Sequence, residues 1–455
     1  MDLLRRARVA FQAGRTLKES FRLSQLEAVV RMVEEHECDF VDALRKDLHK
    51  PRFETVVSEL MLVKNEAFHA TNNLKKWMQP QYVERNLSTS LDDCVVISEP
   101  LGVVEQMISP LMVFIYAGNC AIISPSECTP HTSELLHRLL PFYLDNKKIL
   151  KMCFTFVECF LMLKDGCQSP GNREEGRRIA QAAARTFTPV TLILGGKNPC
   201  YVDQHCDIAT TAQRVAWARF HNAGQSLVAP DYVLCHRDVK VRLVQALKCC
   251  LVQFYGSDPR ESCSLGRMVN LEIFNRTRDM LWRSGKVAVG GQAVEAEKYI
   301  APTILTEVAE SDPIMQQDIF GPILPILTVN SVDEAIAFIN KQEKPLCVYA
   351  YSSNSKVISR LMSETSSGSF CSNDSVLQSL MVALPFGGVG ASGVGSYHGH
   401  YSFDTFSHRK SCLLRSTRFE CVTYLRYPPY EDRNLSLMTW ASTLSQKSQG
   451  WCQIL

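Results

Sequence analysis

The side chains able to do covalent chemistry in this chain are few and scattered. The loop HNAGQSLVAP, His221 to Pro230, is polar, contains a glycine and follows a helical stretch. Loops of that kind present reactive groups from a rigid frame. Its hydroxyl nucleophile is Ser226, which needs a positioned base before it can attack anything. Among the thiols, Cys206 and Cys371 lie in no reactive-cysteine motif, and Cys200 follows the run GGKNP. The glycine-rich stretch LPFGGVGASGVG, at 384 to 395, places GxGxxG on Gly388, Gly390 and Gly393. It lacks the strand-to-helix context and the acidic residue about 20 positions later that a dinucleotide turn requires, so the match is a weak one. His398, His400 and His408 with Asp404 match no zinc spacing, and no metal site is expected. The last residues, WCQIL, place Cys452 in a C-a-a-X pattern whose terminal leucine favours geranylgeranyl transfer.

A chain of 455 residues is long enough for about two to three domains at ~150 residues each. Apolar residues make up 46% and charged residues 21%, the balance of a globular protein with a sizeable core. A net charge of +2 without a basic stripe argues against a nucleic-acid partner. The first residues, MDLLRRARVAFQAGR, interrupt their apolar run with charges and do not read as a secretory signal. Reduced thiols in the cytoplasm follow as the expectation for the 18 cysteines, most of them small core residues. Two apolar stretches, 107 to 123 and 149 to 163, are broken by Pro110 and Gly118 or by Lys151 and Glu158, and read as buried strands rather than membrane spans.

The elements that must position these groups can be read from periodicity. Residues 1 to 78 are helical, with Leu26, Val29, Val30 and Val33 on one face and Leu60, Val63, Ala67 and Leu74 on another. From Glu99 onward, apolar runs alternate with helices, the βαβ pattern of a parallel sheet covered on both faces. Strands are expected at 94 to 98, 102 to 104, 120 to 123, 231 to 235, 287 to 289 and 347 to 351, and a buried one at 191 to 194 that turns sharply at Gly195 and Gly196. Helices are expected at 129 to 140 with Thr129 as N-cap, at 208 to 219 capped by Asp207, and at 239 to 255. The run SPGNREEGRRIAQAAA predicts a further helix, with Ser169 as cap and Pro170 in its first turn.

Residues 191 to 230, from TLILGGKNP to FHNAGQSLVAP, resemble the signature region of the aldehyde dehydrogenases. GGKNPCYVD with APDYVLC is similar to the class 3 branch, and the ending resembles its 3B members. The resemblance implies an α/β fold: a Rossmann-like cofactor domain over 1–186, an α/β catalytic domain over 187–400, and a C-terminal arm and tail over 401–455, with part of 80–100 in the oligomerisation arm. It also implies a thiolate that adds to a carbonyl, donors that hold the oxyanion, a nicotinamide that takes the hydride, and a base-activated water. The family's nucleophilic cysteine falls on Leu227, and its water-activating glutamate falls on Ile193. Cys200 stands where the family often has a second, structural cysteine. ISPSE, at 123 to 127, resembles the adenosine-side motif, with Ser124 in place of a lysine and Glu127 at its end. QDIFGPILP, at 317 to 325, resembles the motif whose glutamate holds the nicotinamide ribose, here Asp318, with Phe320 beside it. Gly195 completes the cofactor positions that the resemblance implies. After Pro110 the family's Trp-Asn-Tyr-Pro loop is missing, about ten residues that include the oxyanion-donating asparagine, and 146 to 168 departs from the family's wording.

The expected function is therefore that of an NAD(P)-dependent aldehyde dehydrogenase family member, a class that oxidises aldehydes to carboxylic acids, with its own catalysis lost. Two alternatives stand beside it: an active enzyme for medium- or long-chain aldehydes with another nucleophile, and a non-catalytic dimer partner. NAD or NADP is the cofactor that the resemblance implies. Expected partners are a second copy or a related subunit, and, through a prenylated Cys452, a membrane or lipid droplet surface reached from the cytoplasm.

Overall fold

The computed structural model describes residues 2–106, 112–123, 126–145, 150–152, 167–170, 173–417 and 424–443. From Asp2 to Trp77 it is helical, as the apolar spacing requires. Helices Glu19–Glu35 and Met61–Trp77 turn Leu26, Val29, Val33, Ala67 and Leu74 inward. Between them the chain makes a four-residue helix, Arg52–Thr55, and a π-helical turn, Val56–Leu60.

Two parallel sheets follow. The first has six strands in the order 393–394, 190–193, 167–170, 103–106, 120–123 and 150–152, parallel except for the antiparallel edge at Gly393–Val394. Helix Asp2–Gln12 packs Ala7 and Ala10 on Val103, Cys120 and Ile122, while helix Arg173–Ala184 packs Ile179 on Leu192 and Leu194. The second sheet has seven strands in the order 286–289, 303–306, 323–329, 232–236, 199–202, 347–351 and 369–372, with only the first running antiparallel. One of its faces is covered by helices Ile208–Phe220 and Lys240–Tyr255, whose Val215, Ala216, Leu243, Leu247 and Leu251 enter the core. The other is covered by Leu271–Trp282 and Val332–Lys341 through Phe274, Leu281, Ile336 and Ile339. Strands buried on both faces explain the near-continuous apolar runs CVYAY and YVLCH.

Contacts divide the chain into two units, 1–74 with 100–406, and 75–99 with 407–455. The smaller holds a three-stranded sheet in the order Gln81–Tyr82, Asp93–Pro100, Ser407–Leu414, and the helix Asp432–Ser442. Within it, the Arg415 guanidinium grips the Asp92 carboxylate, with Nε 2.9 Å from Oδ1, and holds that acid below its ordinary range.

Several expectations are met closely. The strand ending at the double glycine is Val190–Ile193, and the Asp207 carboxylate caps its helix by accepting the Thr210 N–H at 2.7 Å. Others need correction. Ser169 and Pro170 do not open a helix: they end the strand Cys167–Pro170, where Pro170 stands opposite Ile193, and the helix begins at Arg173. The sequence offered a good cap and a good first-turn proline, but pairing with a neighbouring strand outweighed both. Thr129 precedes helix Pro130–Tyr143 without a side-chain cap bond. Among the described residues of the apolar stretch 107 to 123, Cys120–Ile123 is a strand, and Val113–Ala117 is a short buried helix closed by Gly118 in the left-handed region. Among the described residues, no helix is long and apolar enough to cross a membrane.

The GxGxxG run is a structural turn. Gly393 has φ 137°, and a Cβ there would stand 2.0 Å from the Leu192 carbonyl oxygen, so this edge pairing needs a glycine. Gly393→Ala is expected to lower stability by more than ~1 kcal/mol, because Ala can neither adopt this backbone freely nor fit against Leu192. Chemical denaturation compared with the parent chain measures it.

Candidate active site

The strand Val190–Ile193 delivers its last residue into the interior. Ile193 is 1% exposed and belongs to the cluster that fills one face of the seven-stranded sheet, and Leu227 packs against the same cluster. The chain then reverses through Gly195 and Gly196, at φ 73° and 147°. A Cβ on Gly195 would lie 2.9 Å from Leu227 Cδ2, 3.6 Å from Asp318 Oδ2 and 3.7 Å from Phe320 Cζ. Four of the positions drawn from the resemblance thus meet at one bare Cα, with Ile193 in the core beside them. Glu127 is exposed on the turn before helix Pro130–Tyr143, and no described contact ties it to this group. Ser124 and Cys452 lie outside the described residues.

The loop that carries Leu227 is held by its backbone. Asn198 is 1% exposed, and its Nδ2 donates to the carbonyls of Leu227 at 2.8 Å and Ala229 at 3.0 Å. The Tyr349 hydroxyl donates to the Val228 carbonyl at 2.5 Å, and Arg219 Nη1 donates to the Pro230 carbonyl at 3.1 Å. Every carbonyl from 227 to 230 therefore has a buried side-chain donor. Asn198 is fixed in turn, since its Oδ1 accepts the Cys347 N–H at 2.9 Å. Arg219 also pairs with Asp231 at 2.9 Å and donates to the Gly321 carbonyl, so one buried guanidinium joins the loop to the motif that carries Asp318 and Phe320. Gly224 permits that approach, because a Cβ there would fall 2.2 Å from the Gly321 oxygen.

Asn198, Arg219 and Tyr349 were not singled out from sequence. Asn198 stands inside GGKNP, and a polar residue just before a buried strand was its available signal. Arg219 and Tyr349 read as a helix-end cation and a core aromatic, and only the fold reveals their partners.

Burial acts against thiolate formation at the three cysteines weighed from sequence. Burial raises Cys200 well above its ordinary value, raises Cys206, and lifts Cys371 to about 11. Cys200 is buried and Cys206 and Cys371 are partly so, and each is held toward the thiol form. Ser226 Oγ accepts the Val228 N–H at 3.4 Å, a local turn contact. The Lys197 amine donates to the Ile314 carbonyl at 2.6 Å and lies 5.9 Å from the Tyr232 ring centre. Burial pulls that amine down to about 8, against the opposing pull of Asp231 and Asp318. Burial likewise drives His398 down to about 4, and among the described residues no His, Cys, Asp and Glu cluster could hold a metal. The site offers a carboxylate, an aromatic face and a bare Cα, with aliphatic carbon at both positions where the chemistry would be done.

The chain resembles known proteins over nearly its whole length. The model of the aldehyde dehydrogenase family matches residues 2–412. The human protein "Aldehyde dehydrogenase family 3 member B1" is 46% identical, over 96% of this chain and 96% of its own length. The mouse "Aldehyde dehydrogenase family 3 member B2" is 47% identical, over 95% of this chain and 93% of its own. Among solved structures, "Substrate bound state of Staphylococcus Aureus AldH" superposes with a TM-score of 0.92 at 36% identity, covering 96% of this chain and 98% of that one.

The apolar contact at the site has a consequence for stability. Ile193→Glu is expected to destabilise the chain by ~3 kcal/mol or more near pH 8, and by less near pH 5. Burial raises the introduced carboxyl above its unfolded value, so the cost is full where both states are ionised and fades as the folded form takes up its proton. Denaturation at the two pH values measures it.

Proposed function

The chain belongs to the aldehyde dehydrogenase family, in its class 3 branch, and from that premise we propose that it is a member without dehydrogenase activity of its own. The observation that carries the reading is the packing of Leu227, whose Cδ2 comes within 2.9 Å of the Gly195 Cβ position, against the cluster that includes Ile193. Covalent aldehyde oxidation requires a sulfur that adds to the carbonyl carbon, and Leu227 has no lone pair to give. It also requires a base that takes a proton from water to release the acyl group, and Ile193 cannot accept one. Loss of a general base alone costs about 10²- to 10⁴-fold, but without the nucleophile no acyl intermediate forms for that base to clear.

The cofactor side is altered as well, with Ser124 in place of a lysine and 146 to 168 unlike the family, but the residues beside Gly195 fit a dinucleotide at one end. Asp318 offers a carboxylate to a ribose diol, Gly195 leaves room for close approach, and Phe320, held at φ 42°, supplies an aromatic face beside them. A bound nicotinamide would supply a hydride acceptor. More distant structures that share the fold have been solved in complex with NAD or NADP+, and we carry dinucleotide binding to this chain as part of the proposal. Binding or pairing, rather than turnover, would then be the use of the fold.

Purified protein given NAD or NADP and a medium- or long-chain aldehyde is expected to make no reduced cofactor above a no-protein control, and sustained turnover would overturn the reading. NAD or NADP is expected to raise the melting temperature, since a ligand that binds only the folded state stabilises it. Leu227→Cys combined with Ile193→Glu is expected to stay essentially inactive, because the oxyanion-donating loop is also missing, and substantial activity in that variant would show the missing loop to be dispensable.

A further inference from the structure

The turn that leads into the Leu227 loop rests on a buried acid for which the proposed function has no use. In the short segment His221–Gly224, Asn222 and Ala223 have φ 52° and 54°, and Gly224 follows at 73°. Consecutive non-glycine residues in the left-handed region persist only where surrounding contacts impose them. The Asn222 and Gln225 side chains bond each other's carbonyls at 2.8 and 3.2 Å, and Glu54, from the helix Arg52–Thr55, adds a contact from outside the turn, its Oε2 accepting the Asn222 N–H at 3.0 Å. Next to it, Ser58 Oγ and His221 Nε2 share a hydrogen bond of 2.8 Å. Ser58 lies in the π-helical turn Val56–Leu60, an irregularity found more often at functional sites than elsewhere in helices.

Glu54 is 9% exposed, and the groups around it leave its charge only partly matched. Lys50 is the nearby cation, but its ammonium is paired with Glu59. Arg52, on the same short helix, is turned to Glu37 at 2.8 Å. Tyr255, from the helix Lys240–Tyr255, and His221 complete the titratable groups facing it. Burial pushes the Glu54 carboxyl up to about 7, with Lys50 and the Asn222 N–H pulling back and Glu59 adding to the rise. Burial, then Lys50, drives His221 down to about 4, and burial with Glu54 raises Tyr255, so neither changes charge near neutral pH.

We propose that Glu54 is a pH-sensitive latch on the turn His221–Gly224, keeping it closed while the carboxyl carries its proton and letting it open once the proton leaves. The direction follows from linkage. The closed turn shields the acid from water and favours its neutral form, whereas an open turn hydrates the carboxylate and returns it toward its ordinary value. The state that binds the proton more tightly is favoured at low pH, so the closed turn loses ground as pH rises through about 7. The neutral acid still accepts the Asn222 N–H through its carbonyl oxygen. The opening is confined to the turn, because the carbonyls of 227 to 230 are held by Asn198, Tyr349 and Arg219. The latch operates whether or not the site turns over substrate.

Amide hydrogen exchange on the full chain at pH 6, 7 and 8, corrected for intrinsic exchange chemistry, tests it. Between the carboxyl's ordinary 4.5 and its raised value of about 7, linkage gives about a tenfold rise in the opening constant of residues 222–225 from pH 6 to pH 8. Protection at Val228, Ala229 and Asp231 is expected to stay flat. Glu54→Gln, which keeps an acceptor but cannot ionise, is expected to hold the turn closed at all three pH values. His221→Gln is expected to keep the wild-type pH dependence. A flat wild-type profile would overturn the proposal, as would unchanged pH dependence in Glu54→Gln or its loss in His221→Gln. Should Glu54→Gln fail to fold, the wild-type profile and His221→Gln decide the matter. Exchange needs neither cofactor nor turnover, so the latch and the non-catalytic reading succeed or fail separately.

Discussion

One buried amide organises the site. The Asn198 side chain donates twice to the loop after Leu227 and accepts once from the strand that begins at Cys347. Its backbone carbonyl receives the Asp231 N–H at 2.8 Å, where the next strand starts. A buried amide left without partners costs several kcal/mol in an apolar medium, so these bonds form together or the region does not close. Two strands of the larger sheet and the candidate loop therefore share one point of registration. Arg219 repeats the device on the loop's far side, joining it to Asp231 and to the Gly321 carbonyl.

On the proposed reading, the chain keeps the frame of an active site without its reagents, and this arrangement explains how. The bonds that shape the loop run to backbone carbonyls, and none uses the side chain at 227 or 193. Exchanging a thiol for a leucine and a carboxylate for an isoleucine leaves that hydrogen-bonding intact and adds apolar contact in the middle of it. An active site commonly carries some local instability, because buried polar groups are kept there for chemistry. Here that cost is absent from both reacting positions.

Much of this was legible in the sequence, for identifiable reasons. The strand ending at Ile193 is a short apolar run stopped by two glycines, and Asp207 is a carboxylate placed where the first helical N–H groups need an acceptor. The assignment of Leu227 and Ile193 to the family's reactive positions comes from the resemblance alone and stands as part of the proposal. What could not be read depends on partners far away in the chain. Ser169 and Pro170 look like a helix start until the strand Val190–Ile193 is set beside them. Tyr349 looks like filler until its hydroxyl is seen on Val228, 121 residues away. Glu54 looks like a surface acid on a polar helix, and its burial against a turn 168 residues later has no local signature.

The covered thiols give the larger sheet a property separate from catalysis. Cys200, Cys235 and Cys347 lie on adjoining strands, all buried, and their protons are held tightly by the lack of water around them. Cys38, Cys128, Cys249 and Cys263 are exposed. Among the described cysteines, one set thus meets electrophiles at the surface and another is sealed until strands separate, with Cys94, Cys206, Cys371 and Cys412 between the two. Alkylation of the sealed set becomes a clock for sheet opening, running at the rate of unfolding rather than at the rate of sulfur chemistry.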